Sequence, residues 1–373
     1  MDLVQVSTPS RICLFGEHQD YLGLQVIASA VNIRFSAVAE HRPDMLLHIR
    51  IRDARLGALG QKNPGLYNEY TLDLSQPQVY TQKRDYFKSV VNVLRREGFP
   101  LSGAEVQMDS DIPIGKGMCS STTMIMALMG ALVALWDEAR FEPMYIARLG
   151  WLAEVAEFQE PGGMMDHYAS ALGGLVHLDF ADGVTPRRLE RSLRGAFILF
   201  DSLQEKDTLA VLSASKIPAL AGLRALRPYG VQSVRDLAED PEKERLLHKL
   251  DGLHRRKLAA NVDNYRIQRQ ALAMLESGEI DDAAFGALLS RHQAGLRDGL
   301  GISTPVIDAI LETALAHGAY GGKLNGSGGG GCLYCYAPRE RADEIVAAVG
   351  EMGYPGLLLR QDTGITKSRE PLI

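Results

Sequence analysis

The stretch Asp111-Ile-Pro-Ile-Gly115-Lys116-Gly117-Met118-Cys119-Ser120-Ser121-Thr122-Thr123 decides how this chain is read. Residues 104–108 before it alternate apolar and polar, as a half-buried strand does. The apolar run that follows, residues 124–136, predicts a buried helix opening near Ser121. A strand thus feeds a Pro/Gly loop, and the loop opens a helix. Helix N-termini carry unpaired N–H groups and partial positive charge. Glycine lets the backbone approach an anion, and Ser or Thr hydroxyls can reach a phosphate-bound magnesium ion. The segment is therefore a candidate polyphosphate cradle. A plain capped turn is the competing reading. It is not a G-x-x-x-x-G-K-[ST] loop, which the sequence lacks.

A second glycine segment, residues 321–331, reads Gly-Gly-Lys-Leu-Asn-Gly-Ser-Gly-Gly-Gly-Gly before Cys332. It contains a formal G-x-G-x-x-G. A dinucleotide fingerprint needs a strand before it and a helix after it, and here a strand follows. That reading is rejected. A flexible linker is disfavoured too, because apolar strand-like sequence follows at once. Close backbone approach to a ligand or to another part of the fold accounts better for the glycines.

Upstream lies Arg11-Ile-Cys-Leu-Phe-Gly-Glu17-His18-Gln-Asp20-Tyr21. Glu17, His18 and Asp20 cluster after an apolar strand. Carboxylates in such a cluster accept hydroxyl hydrogens in fixed geometry, as a sugar requires. A metal site is the rival, but one histidine without a second ligand pair does not have zinc spacing.

The 373 residues are enough for two domains, and 46% hydrophobic with 23% charged residues is ordinary globular usage. Disorder, collagen and coiled coil are excluded as overall descriptions. The net charge of −6 lacks the basic footprint of a nucleic-acid binder. Glycine is abundant, with 37 residues. Four cysteines do not make a disulfide scaffold. Cys332 and Cys335 lie in a strand-like run, where positions i and i+3 face opposite ways, so buried thiols are expected rather than a redox pair. The N-terminus has no signal-peptide pattern. The longest apolar run, 124–136, is short of the ~20 residues a membrane span needs. A cytoplasmic protein without nucleic-acid or membrane partners is expected.

Residues 1–60 are β-rich, and helices are expected at 85–97, 143–159, 304–317 and 339–352. Residues 242–274 carry helical spacing throughout. The Arg/Ser-interrupted stretch near 190 predicts a boundary between two α+β domains, 1–190 and 191–373.

Taken in order, these segments resemble the GHMP kinase superfamily, specifically its galactokinase branch. The family's G-R-x-N-x-I-G-E-H-x-D-Y is matched by residues 10–21, its P-x-G-x-G-L-x-S-S by 113–121 with Met118 for Leu, and its G-G-G-x-G-G from Gly326 with Ser327 for one glycine. Pro161-Gly-Gly-Met-Met-Asp166 is similar to a G-I-M-D segment, and residues 230–237 and 290–298 extend the likeness over the chain. The resemblance implies a two-domain α+β fold with the active site between domains. It implies MgATP-dependent phosphorylation of a sugar's anomeric hydroxyl. Asp166 takes the place of the general base, with Arg11 beside it. Ser121 and Glu154 match magnesium ligands. Glu17, His18, Asp20 and Gly163 match sugar contacts. Residues 115–122, namely Gly115, Lys116, Gly117, Met118, Cys119, Ser120, Ser121 and Thr122, match the ATP loop.

Departures bear on the substrate. Gln19 and Leu22 stand where the family has Thr and Asn, His167 follows Asp166 instead of Gln, and Lys116 replaces a glycine. The family's Tyr-containing S-x-Y-x-x-R-R stretch corresponds to residues 206–216 here, which contain no Tyr. Galactose is the first expectation; arabinose, a uronic acid, an N-acetylhexosamine or a heptose are alternatives. A catalytically silent ATP/sugar sensor is the alternative from another class. A mevalonate- or homoserine-type kinase is disfavoured by the Glu-His-x-Asp cluster.

Overall fold

Residues 25–41 form one 17-residue strand because their apolar residues meet two surroundings in turn. From Gln25 to Val31 every residue is buried, and from Asn32 burial alternates, as on a sheet packed on one face. The computed structural model describes residues 2–52, 67–112, 116–160, 162–191 and 193–371. Gly115 and residues 53–60 of the β-rich start lie outside them.

The strands are β1 (Asp2–Phe15), β2 (Gln25–His41), β3 (Leu46–Arg52), β4 (Tyr67–Asp73), β5 (Ala104–Ser110), β6 (Leu175–Asp179), β7 (Thr185–Arg188), β8 (Ala196–Asp201), β9 (Gly321–Leu324), β10 (Cys332–Ala337), β11 (Gly356–Leu359) and β12 (Thr366–Pro371). The larger sheet runs β12-β1-β2-β5-β3-β4, with β6 on the first half of β2 and β7 beyond it. Among the described residues, only β3 and β5 run parallel in it. The smaller sheet is β11-β8-β10-β9, all antiparallel. Strand β12 returns to β1, pairing Val6 with Lys367.

Helix Ser120–Trp136 is apolar on all sides and almost wholly buried against β1 and β2, as such a helix must be. The principal core lies around the larger sheet. A second fills the space between the smaller sheet and helices Pro305–Ala316 and Ala342–Glu351. A third gathers Leu22 and Leu24 under helices Thr208–Leu226, Val234–Glu239 and Gly252–Ser277. Hydrogen bonds tie β10 to its surroundings: Cys332 N–H donates to Lys116 O in the phosphate loop at 2.6 Å, and the Tyr334 hydroxyl donates to Cys13 O on β1 at 2.8 Å.

Several expectations are corrected. Residues 321–324 are not loop but the strand β9, paired with β10 and fully buried. Its glycines are there because backbone comes too close for a side chain: a Cβ at Gly321 would stand 1.7 Å from Gly286 O. The glycine loop proper is 325–331. The helical run 242–274 breaks at Leu250–Asp251, where the Asp251 carboxylate accepts from Leu253 N and His254 N and caps a new helix. Residues 143–159 are helical only to Trp151, then widen into a π-turn, Leu152–Ala156. Residues 208–229 also form a helical run of membrane-spanning length and apolarity, longer than the 13-residue apolar run at 124–136. Here its Ala219, Leu223 and Leu226 pack into the third core.

Candidate active site

The cleft of about 320 Å³ is lined from six separate parts of the chain: 11–21, Arg84, 117–122, 154–167, 206–212 and 326–327. Arg11 reaches it from mid-β1. It is 2% exposed; its Nε donates to Asp166 Oδ1 at 2.8 Å and its Nη1 to Gly117 O at 3.1 Å. Burial works against the guanidinium charge, but Asp166 overrides it and the net pKa is raised. Asp166 is presented by the first turn of helix Met165–Leu172, with its side chain 29% exposed.

The phosphate-loop helix begins at Ser120, with Cys119 as its N-cap in the left-handed region (φ 46°) and no side chain capping it. Ser121 and Thr122 do not cap either. Their hydroxyls donate to the two oxygens of Glu154, at 2.6 and 2.7 Å. His167 Nε2 lies 2.9 Å from Glu154 Oε2. Glu154 gets there because the π-turn inserts it into the helix wall; π-turns often mark functional sites. The turn's backbone has no sequence signature that the helical spacing reveals.

The other expected residues divide between the cleft and its surroundings. Lys116 is not among the cleft-lining residues; its Nζ sits 3.3 Å from Asp201 Oδ1 on β8. Met118 is fully buried, and its Sδ accepts from Asn325 Nδ2 at 3.1 Å. Glu17 borders the cleft, but its carboxylate is 1% exposed and Oε1 is ion-paired with the fully buried Lys323. His18 has both ring nitrogens engaged. Nε2 is 3.0 Å from Ser327 O, which can only accept, so Nε2 carries the hydrogen and Nδ1 accepts from Tyr21 Oη at 2.8 Å. Burial pushes His18 down to about 4, keeping the ring neutral. Asp20 and Gly163 are in contact: a Cβ at position 163 would fall 1.8 Å from Asp20 Oδ2. Burial, then the nearby Asp166 charge, raises the Asp20 pKa. Asp20 and Asp166 thus share one end of the cleft.

Two further residues, Lys206 in the cleft and the fully buried Asn325 beside it, escape a reading of the sequence. Lys206 Nζ donates to Ser327 Oγ at 3.0 Å and would stand 2.8 Å from a Cβ at Gly117. It forms no ion pair among the described residues, and burial brings it down to about 8. It sits in the very segment that lacks the family's Tyr, and an isolated Lys carries no signal. Asn325 joins the glycine segments: its Nδ2 donates to Gly117 O at 3.0 Å and its Oδ1 accepts from Cys13 N at 2.9 Å. Among the described residues, no group of three or more His, Cys, Asp or Glu forms a metal cluster. The four cysteines are buried and free.

Residues 85–174 match the model of the GHMP kinases N terminal domain, and residues 271–355 that of the GHMP kinases C terminal. A galactokinase of Streptomyces coelicolor is 31% identical over 365 residues, covering 92% of this chain and 87% of that protein. A mevalonate kinase of Thermococcus sibiricus is 26% identical over 356 residues, covering 93% and 92%. The crystal structure of Lactococcus lactis galactokinase complexed with galactose superposes with a TM-score of 0.82 at 20% identity, covering 98% of this chain and 95% of that one. The chain belongs to the GHMP kinase family, and it is a phosphotransferase with an alcohol group as acceptor.

Proposed function

We propose that the protein is an ATP-dependent sugar kinase that phosphorylates the anomeric hydroxyl of a monosaccharide, galactose or a close relative, giving a sugar 1-phosphate and ADP. The observation that carries this is the meeting of Arg11, Asp166 and Asp20 at one end of the cleft, with Gly163 against Asp20. Two carboxylates beside a bare backbone suit a substrate with several hydroxyls. A substrate with fewer would leave buried acceptors unpaired at ~1–3 kcal/mol each.

In this reading Asp166 accepts the attacking hydroxyl's hydrogen while Arg11 holds its other oxygen in place. Arg11 and Lys206 face the phosphoryl group from the glycine-loop side and balance its charge. The N-terminus of helix Ser120–Trp136 receives the phosphates. Ser121 and Glu154 are all-oxygen donors bonded to each other at the cleft wall, which fits magnesium held jointly with phosphate. When bound, that ion would neutralise phosphate charge. A second cavity of about 630 Å³ shares Arg84 with the cleft and is lined by Tyr70, Tyr86 and Phe87, which suits an adenine ring. Tyr21 brings an aromatic face to the sugar end, with Lys216 Nζ 5.2 Å above its ring.

The test is ADP release with MgATP against galactose, glucose, arabinose, galacturonate, glucuronate, N-acetylgalactosamine, a heptose and mevalonate. Turnover with one sugar supports the reading and names the substrate. Turnover with mevalonate alone overturns it. Silence throughout with ATP binding intact would favour the sensor.

A further inference from the structure

Away from the cleft, a cavity of about 370 Å³ opens between the two sheets. Ser29 of β2 and Leu175 of β6 line one side, Phe197 of β8 and Leu358 of β11 the other. It shares no residue with the cleft. Among the described residues, three arginines border it, Arg191, Arg339 and Arg360, and no Asp or Glu does. None of the three forms an ion pair among the described residues. Arg191 Nε donates to Leu275 O at 3.2 Å and Arg339 Nε to Arg194 O at 2.7 Å. Those bonds engage only the Nε atoms; Arg191 lies against the C-terminal end of helix Gly252–Ser277 and also borders a neighbouring hollow with Glu190 and Glu276. The wall between the three arginines is apolar: Leu193, Phe197 and the 43%-exposed Leu358.

All three arginines are exposed, so water and salt screen much of their mutual repulsion, and an anion between them would turn the remainder into attraction. Guanidinium forks match phosphate oxygens two at a time, and a phosphomonoester's double charge answers three arginines better than a single carboxylate does. Inorganic phosphate would leave the apolar wall uncovered. We propose that this cavity binds a small phosphomonoester with an apolar or aromatic body, at a site separate from the catalytic cleft. The ligand bridges both sheets and rests on β8, whose far end carries Asp201, the partner of Lys116 in the phosphate loop.

Phenyl phosphate is the probe, titrated calorimetrically into the whole protein whose cleft is saturated with a non-hydrolysable ATP analogue. Saturable binding is expected, at least about tenfold tighter than inorganic phosphate and weakened at least about tenfold in Arg339→Ala/Arg360→Ala. Arg360 is exposed, so Arg360→Glu provides a second variant that keeps the fold and should also abolish binding. No saturation by about 10 mM, binding displaced by the ATP analogue, equal affinity for inorganic phosphate, or unchanged affinity in both variants would each overturn the proposal.

Discussion

Arg11 Nε donates to Asp166 Oδ1 across 2.8 Å, tying mid-β1 to the first turn of a helix 155 positions later. The arginine is almost fully buried and the aspartate partly open to the cleft. A carboxylate so held keeps one oxygen oriented for a hydroxyl. Asp166→Asn retains the shape but not the proton acceptor. It should lower kcat by about 10²–10⁴, with ATP affinity, measured by direct titration, largely unchanged. Turnover near that of the parent enzyme would remove Asp166 from the base role.

Gly163→Ala places a methyl group where Asp20 Oδ2 now sits, 1.8 Å from the ideal Cβ. Asp20 must move, and its hydroxyl contacts move with it. The expected effect is a rise in the sugar's KM of roughly 5- to 150-fold, the equivalent of ~1–3 kcal/mol, with KM for ATP little altered. An unchanged sugar KM would put the sugar elsewhere.

Lys206 titrates near 8, chiefly through burial, with the Arg11 and Lys116 charges adding and Cys332 and Asp166 opposing. Its folded pKa is below the ordinary 10.5, so the cation is present below pH 8 and is lost above it. The kcat/KM for ATP, which reports the free enzyme, should therefore fall as pH rises through about 8. Lys206→Arg should extend the plateau upward, since a guanidinium stays charged. Lys206→Met should be slow at every pH. Matching profiles for the parent and the Arg variant would exclude Lys206 from the reaction. For stability the sign is reversed: between pH 8 and 10.5 the unfolded chain binds more protons, so this group's contribution rises with pH.

Lys323 and Glu17 form a buried ion pair joining β9 to the first motif, with Lys323 Nζ also donating to Cys13 O at 3.1 Å and Leu324 O at 2.9 Å. Lys323→Met leaves Glu17 charged without its partner, and about 3–5 kcal/mol of stability should be lost. Adding Glu17→Gln should restore part of it, because the stranded charge is gone. Denaturant melts of the three proteins measure this. A Lys323→Met melt matching the parent would mean that the pair contributes little.

Much of the site is legible in the residues themselves. The motifs around Arg11, Ser121 and Asp166 line one cleft, and the helix expected over 304–317 is there as Pro305–Ala316. Where sequence and structure part, the causes are physical. Residues 321–324 read as loop because glycine weakens a strand on average, yet here backbone crowding requires it. The break at Leu250–Asp251 is hidden by helical spacing on both sides, and only Asp251's side chain shows where the new helix starts. Glu17 and His18 read as free ligands because their partners, Lys323 and Ser327, lie more than 300 positions away.

The sequence by itself determined the family, the phosphotransferase chemistry and the local elements that carry it, since strand–loop–helix order and charged clusters are short-range patterns. Only the tertiary structure decided which side chains face the cleft and which hold the sheets together. Lys206, Asn325 and the π-turn placing Glu154 acquire their positions from packing between distant segments. Burial then decides their charge, and neither packing nor burial is written in local spacing.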